Sequence, residues 1–173
     1  MTELVGGLRA RMIRENLYQM IWTALDDLDW FDPTNPNKPV TFVARAQNQN
    51  EQIIENTAAL SDENSVNSDM ELGSQLAEYR WTFYIDFFAD SDAIGLHFIR
   101  DIQDILEGRI TAIGRNDPSF VVYDVRQATP PALFTCQIEQ VNVDRAHGFL
   151  KPWLEHWYSC AFVVVDYYSR DDG

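Results

Sequence analysis

The chain has 173 residues, 46% of them apolar and 13% aromatic, and its 27 acidic against 13 basic side chains give a net charge of −14. That size suits one domain with most of its apolar surface buried, and the charge argues against a dedicated DNA or RNA binder, because most of the surface would repel phosphates. Two cysteines, Cys136 and Cys160, make no disulfide framework, no apolar run of about 18 residues could span a membrane, and the N-terminus lacks a signal-peptide core, so a soluble protein of a reducing cytoplasm is expected.

The first predicted element is a helix from about Leu8 to Trp30. Ile13, Leu17, Ile21, Ala24, Leu25 and Leu28 form its apolar stripe, with Met12 and Met20 beside it. Arg9, Arg11 and Arg14 occupy its first turns and Asp26, Asp27 and Asp29 its last. Both clusters oppose the helix dipole, each at a cost of a few tenths to about 1 kcal/mol where exposed. Either solvent and neighbouring side chains absorb the mismatch, or the arginines reach an acidic partner, for which another copy of this chain would qualify. Pro33, Pro36 and Pro39 then mark a turn-rich loop, and a short strand is predicted over Val40 to Arg45. From Gln47 to Gln75 the composition turns polar with no strong period, which predicts one long loop, with a short helix near Ile53 to Leu60 as its single possible element.

The stretch Glu78 to Gly108 predicts a strand running into a helix. Tyr79, Trp81, Phe83, Ile85 and Phe87 alternate with Arg80, Thr82, Tyr84 and Asp86. Ser91 or Asp90 would cap the helix, Asp92 would complement its dipole, and Gly108 would end it. Ile94, Phe98, Ile102 and Ile105, widened by Ile99 and Leu106, would cover the aromatic strand. Strands are predicted at Phe120 to Val125 and at Leu133 to Asp144, where a shift of apolar phase from Ile138 to Val141 implies a bulge near Gln140. The run CAFVVVDYY inside a last strand, His156 to Tyr168, implies cover on both faces. The fold class expected is therefore α/β of the α+β kind: a mainly antiparallel sheet packed by two amphipathic helices, with one long polar loop, in a single domain over residues 1–173.

Motifs for chemistry are missing from this pattern. There is no phosphate-binding glycine loop, nucleophile elbow, HExxH or paired CxxC. His97, His147 and His156 are scattered and read as structural or surface residues. Asp26, Asp27, Asp29 and Asp32 lack the glycine and alternation of an EF-hand and read as a solvated acidic end. Asp86, Asp90 and Asp92 could gather round a divalent metal at a strand end, but capping accounts for two of them. Cys136 and Cys160 read as small hydrophobes.

The order helix, strand, long loop, strand, helix and three strands, closing on the segment Trp153 to Tyr168 (WLEHWYSCAFVVVDYY), resembles the tail terminator proteins of long-tailed bacteriophages. The resemblance implies a hexameric ring that caps the tail tube, stops its polymerisation and joins it to the head. It implies the tail tube protein and a head-completion or connector protein as partners. Genomic DNA would pass the lumen without specific binding. It implies no catalytic residue, cofactor, metal or membrane, and a place in the neck of the virion. Arg9, Arg11 and Arg14 are the candidate subunit interface. The same features suit a head-completion or head-tail adaptor protein of the neck. An acidic mimic of DNA and an enzyme built on Asp86, Asp90 and Asp92 are the readings from other classes.

Overall fold

A computed structural model describes residues 6–34, 40–44, 56–62, 66–69, 76–109, 118–145 and 157–169. Among the described residues two helices, α1 (Gly6–Asp27) and α2 (Asp92–Leu106), accompany seven strands: β1 (Thr41–Ala44), β2 (Thr57–Asp62), β3 (Val66–Asp69), β4 (Leu76–Phe88), β5 (Ser119–Tyr123), β6 (Ala132–Arg145) and β7 (Trp157–Ser169). The strands form one sheet in the order β1-β2-β4-β7-β6-β5, with β3 also pairing β4. Every pairing is antiparallel except β1 with β2. The fold class is α+β.

β4 is the long central rail. It pairs β7 along its whole length on one side, and β2 and then β3 on the other. Register puts Phe87 beside Tyr158, Ile85 beside Cys160, Phe83 beside Phe162 and Trp81 beside Val164. All eight side chains are buried, on the face that the helices cover. The opposite face of β7 is different. Ser159, Ala161 and Val163 are half-buried and only Val165 is sealed, so the strand is not covered on both faces as its apolar run implied. The run is explained instead by a strand paired along both edges, where β-branched residues fit the pleat.

The polar stretch from Gln47 to Gln75 is not one loop in its described part. Residues 57–62 and 66–69 are strands, and Thr57 to Leu60, expected as part of a short helix, belong to β2. Only Ala58 and Leu60 turn inward from β2, which is too short a series to leave a period in the sequence. Backbone pairing along the edge of β4 specifies these strands. Residues 47–55, 63–65 and 70–75 lie outside the described residues.

α1 places Met12, Ile13, Leu17, Ile21, Ala24 and Leu25 in the interior. Its two sides are not cleanly divided, since Asn16 is buried with them and Trp22 is 37% exposed. The helix ends at Asp27, and Trp30 leaves it to fill the core at 0% exposure. Its Nε1 donates to Asp101 at 2.8 Å and its ring meets the edge of Phe98. α2 buries Phe98, Ile99, Ile102, Ile105 and Leu106, and Phe98 packs on Phe87 with ring centroids 4.1 Å apart. Most of its packing lies over β7 and β6, further along the sheet than the aromatic strand it was expected to cover.

Both helices end on one hydrogen-bond pattern. After α2, Gly108 donates to Ile105 and Arg109 to Asp104, with Gly108 at φ 70°. After α1, Asp29 donates to Asp26 and Trp30 to Leu25, with Asp29 at φ 62°. This is the Schellman arrangement, whose left-handed residue is best a glycine. Asp29→Gly should therefore stabilise the protein by about 0.5 to 1 kcal/mol, the left-handed strain removed exceeding the chain entropy added. A second substitution has the reverse sign to helix propensity. An added Cβ on Gly95 would lie 2.1 Å from the ring of Tyr158, which is 1% exposed and bonds Asp92. Gly95→Ala should thus destabilise by about 1 to 3 kcal/mol, as overpacking does. Urea unfolding of both variants checks the two signs.

Candidate interaction surface

The three arginines of the first helix turns do different things. Arg9 points into the domain, and its guanidinium bonds both carboxylate oxygens of Asp166, the Nη2 contact being 2.7 Å. It also lies 3.6 Å from the centroid of the Phe134 ring. Asp166 is fully buried and the Arg9 side chain is 14% exposed. As a free surface cation, Arg9 must therefore be withdrawn: a buried carboxylate on β7 claims it. Arg11 is 71% exposed and pairs Glu15 one turn on, at 2.8 Å. Arg14 is exposed as well.

Beside these two cations α1 meets the β5 end of the sheet. Asn16 is the fitting. Its amide donates to the Tyr123 carbonyl at 2.9 Å and accepts from the Tyr123 N–H at 3.0 Å, completing the outer edge of β5 as a neighbouring strand would. It donates to the Met12 carbonyl too. Two residues on, the Tyr18 hydroxyl donates to the Phe42 carbonyl of β1 at 3.0 Å and the rings stack. Burial of that hydroxyl raises its pKa.

A groove of about 610 Å³ follows the outer side of this junction, with Arg14, Tyr18, Gln19, Tyr123, Val125 and Pro130 on its walls. Its far wall is the loop between β5 and β6, organised by Asp124. The side chain of Arg126 donates twice to Asp124, and the Arg126 N–H and the Gln127 amide add two more bonds. These donors, Arg126 first, hold the Asp124 carboxyl well below the usual carboxylate range. A depressed carboxylate contributes its stability above its unfolded pKa and loses it as pH falls through the folded one. The bonds that the Asp124 carboxylate makes in this loop are therefore present at neutral pH and are lost only as pH falls through its lowered range. Val121, Tyr123, Val125 and Leu133 are all more than a third exposed at this end of the sheet, and Trp22 is so on α1.

The other candidates stand apart from this surface and from one another. Asp86 accepts from Trp157 at 3.0 Å, Asp90 is bonded to Asn56, and Asp92 accepts from Tyr158 at 2.6 Å. Ser91, rather than Asp90, caps α2. Among the described residues no three His, Cys, Asp or Glu side chains are placed to hold a metal. Asp32 takes the N–H and hydroxyl of Thr34, whose bonds lower its pKa. His97 lies 3.6 Å from Asp101 and against Trp30, while His147 and His156 fall outside the described residues. Cys136 and Cys160 are free and buried; burial raises both thiols, Cys160 to about 12, so neither is a thiolate at neutral pH.

The sequence reading missed Asn16, Trp30, Asp124 and Asp166. A polar residue inside an apolar stripe was the available signal for Asn16, and an aspartate inside an apolar strand for Asp166. No family model matches this chain, and no curated protein matches it either. Among the described residues no helix is long and apolar enough to cross a membrane.

Asn16→Leu should leave both polar groups of Tyr123 without their side-chain partner and destabilise by about 1 to 3 kcal/mol. Amide exchange at Tyr123 should rise by more than the global loss explains. Exchange that tracks global stability alone would show that the amide does not hold the edge. Arg9→Met should cost more, about 3 to 5 kcal/mol, because it leaves Asp166 buried without its cation.

Proposed function

We propose that this protein is a tail terminator of a long-tailed bacteriophage, a virion neck protein that forms a ring at the head-proximal end of the tail tube and joins tail to head. The observation that carries the reading is the apolar groove, with Tyr123 and Val125 exposed on its wall and Leu133 exposed at the same end of the sheet, on a chain of net charge −14. Large exposed apolar side chains on a strongly charged surface fit a protein that works through contacts with other subunits. The element order supports it through the resemblance described above, with the difference that β2 and β3 stand where that order has one long loop. The described helices pack on one face of the mainly antiparallel sheet, and apolar side chains beside the groove stay exposed for neighbours. In a ring the negative charge of each copy would add to a negative collar. DNA would slide past such a wall without the counterion release that makes phosphate contacts adhesive.

The test is assembly. Purified protein imaged at increasing concentration should give closed six-fold rings, and adding it to polymerising tail tube protein should stop elongation. Copies that stay monomeric throughout, or tubes that lengthen unchanged in its presence, would remove the terminator reading. Capture on filled heads without any effect on tubes would move the protein to the adjacent adaptor position.

A further inference from the structure

The outward side of α1 carries a charge pattern that fits a second α1. At 100° per residue, Arg11, Glu15, Tyr18, Trp22 and Asp26 fall in one row, about 22 Å long. Arg14 lies beside its start, about 60° round from Arg11. Arg11, Arg14, Trp22 and Asp26 are all exposed. The row therefore runs from the Arg11–Glu15 pair, with Arg14 beside it, through aromatic rings to Asp26. Arg11 shares its charge with Glu15 on the same helix, but at 71% exposure it remains open to a further carboxylate. At the far end Trp22 stacks on Phe31, with centroids 5.2 Å apart, which makes a partly exposed aromatic pair beside Asp26. At the near end the groove is lined by Tyr18, Tyr123, Val125 and Pro130 and carries both Arg14 and Glu15 on its wall. One end is thus an apolar hollow edged by Arg14 and Glu15 with Arg11 next to them, and the other an aromatic pair edged by Asp26.

We infer that the exposed face of α1 is a self-docking surface, on which the Trp22–Phe31 pair of one copy enters the groove of the next and Asp26 faces Arg11 and Arg14. The occupant is a second copy of this chain, because the complementary charges and the complementary shapes are both present on it. The electrostatics of the isolated helix favour such a partner. Asp26, in the last turn, opposes the dipole, and it gains an opposite charge in the docked pair. The aromatic pair supplies desolvated area, while the charges set orientation and encounter rate. The inference rests on the self-association in the ring reading and names the residues that carry it. Aromatic pair and groove are different patches, so contacts of this kind propagate head to tail, as a ring requires when the rotation per copy closes.

The experiment uses the full chain in three forms: wild type, R11E with R14E, and D26K. Sedimentation velocity is read for each alone and for the two variants mixed one to one. All three substituted side chains are exposed, and circular dichroism with a urea midpoint close to wild type confirms folding before assembly is read. Each variant alone should associate at least about tenfold more weakly than wild type, as expected for reversed rim charges. The mixture, in which opposite charges again face each other, should recover wild-type association, and raised salt should weaken wild type and mixture alike. Trp22→Ser, which keeps every charge, should also weaken association. Variants that assemble like wild type, a mixture that fails to recover, or a wild type that stays monomeric would overturn the docking. The size of the recovered species judges the ring separately. Six copies support both statements, whereas recovery as a dimer keeps the α1 docking and sinks the ring.

Discussion

Five strand spacings separate β1 from β5, which in a flat sheet is about 24 Å. Asn16 and Tyr18 are two residues apart on one helix, yet the first bonds the backbone of β5 and the second the backbone of β1. A helix with its side chains is about 10 to 12 Å across. The sheet can meet both demands only by curling until its two edge strands flank α1. The helix therefore closes the open side of a trough, and side-chain bonds replace the strand pairing that a closed barrel would have supplied. Strand twist makes the curl available at little cost, and the bulge at Gln140, with φ 52° and a register shift between Glu139 and Asn142, adds to it.

The same helix is tied at its start by the pair Arg9 and Asp166. Burying two charges is expensive, and an apolar pair of similar volume would often be as stable. What the ion pair adds is position. Asp166 lies in register with Tyr79 of β4, and Arg9 must also lie over Phe134 of β6. A bidentate guanidinium tolerates little sliding, so the helix has one rotation and one depth at which both contacts form. That setting carries Asn16 and Tyr18, two and a half turns at most further along, to their two strands. An apolar pair could slip by a fraction of a turn and lose both edges. The buried charges are thus best understood as fixing the register of α1 in the trough.

Much of this was written in the sequence in forms that periodicity can read. The bulge at Gln140 showed as a change of apolar phase because one extra residue exchanges the two faces of a strand. Gly108 and Ser91 were legible because glycine and serine are chemically suited to those ends. Asp29 holds the same left-handed position after α1, but an aspartate there reads as one more charge in an acidic cluster. β2 and β3 were illegible because their partner strand specifies them, and β2, with two inward side chains, carries no pattern of its own. The separation of the arginines was legible in principle. Two residues put Arg9 about 200° round the helix from Arg11, so the two could never share a face, and treating the three as one cluster overlooked that geometry.

That geometry also separates folding from assembly. The inward sector of α1 holds Arg9, Asn16 and the apolar stripe, and changes there alter how the sheet curls. The outward row holds Arg11, Trp22 and Asp26, which leave the interior contacts untouched. Tyr18 belongs to both, because its hydroxyl holds β1 while its ring lines the groove. A subunit docking in the groove would press on the residue that anchors one sheet edge, and curling of the trough would in turn alter the groove. Coupling of this kind needs no moving part beyond the Tyr18 side chain and the four-residue strand β1. It is weakest where the edge is firmly held, at Asn16 and β5. Any response of the domain to a neighbouring copy should therefore enter through β1, the shortest and least paired end of the sheet.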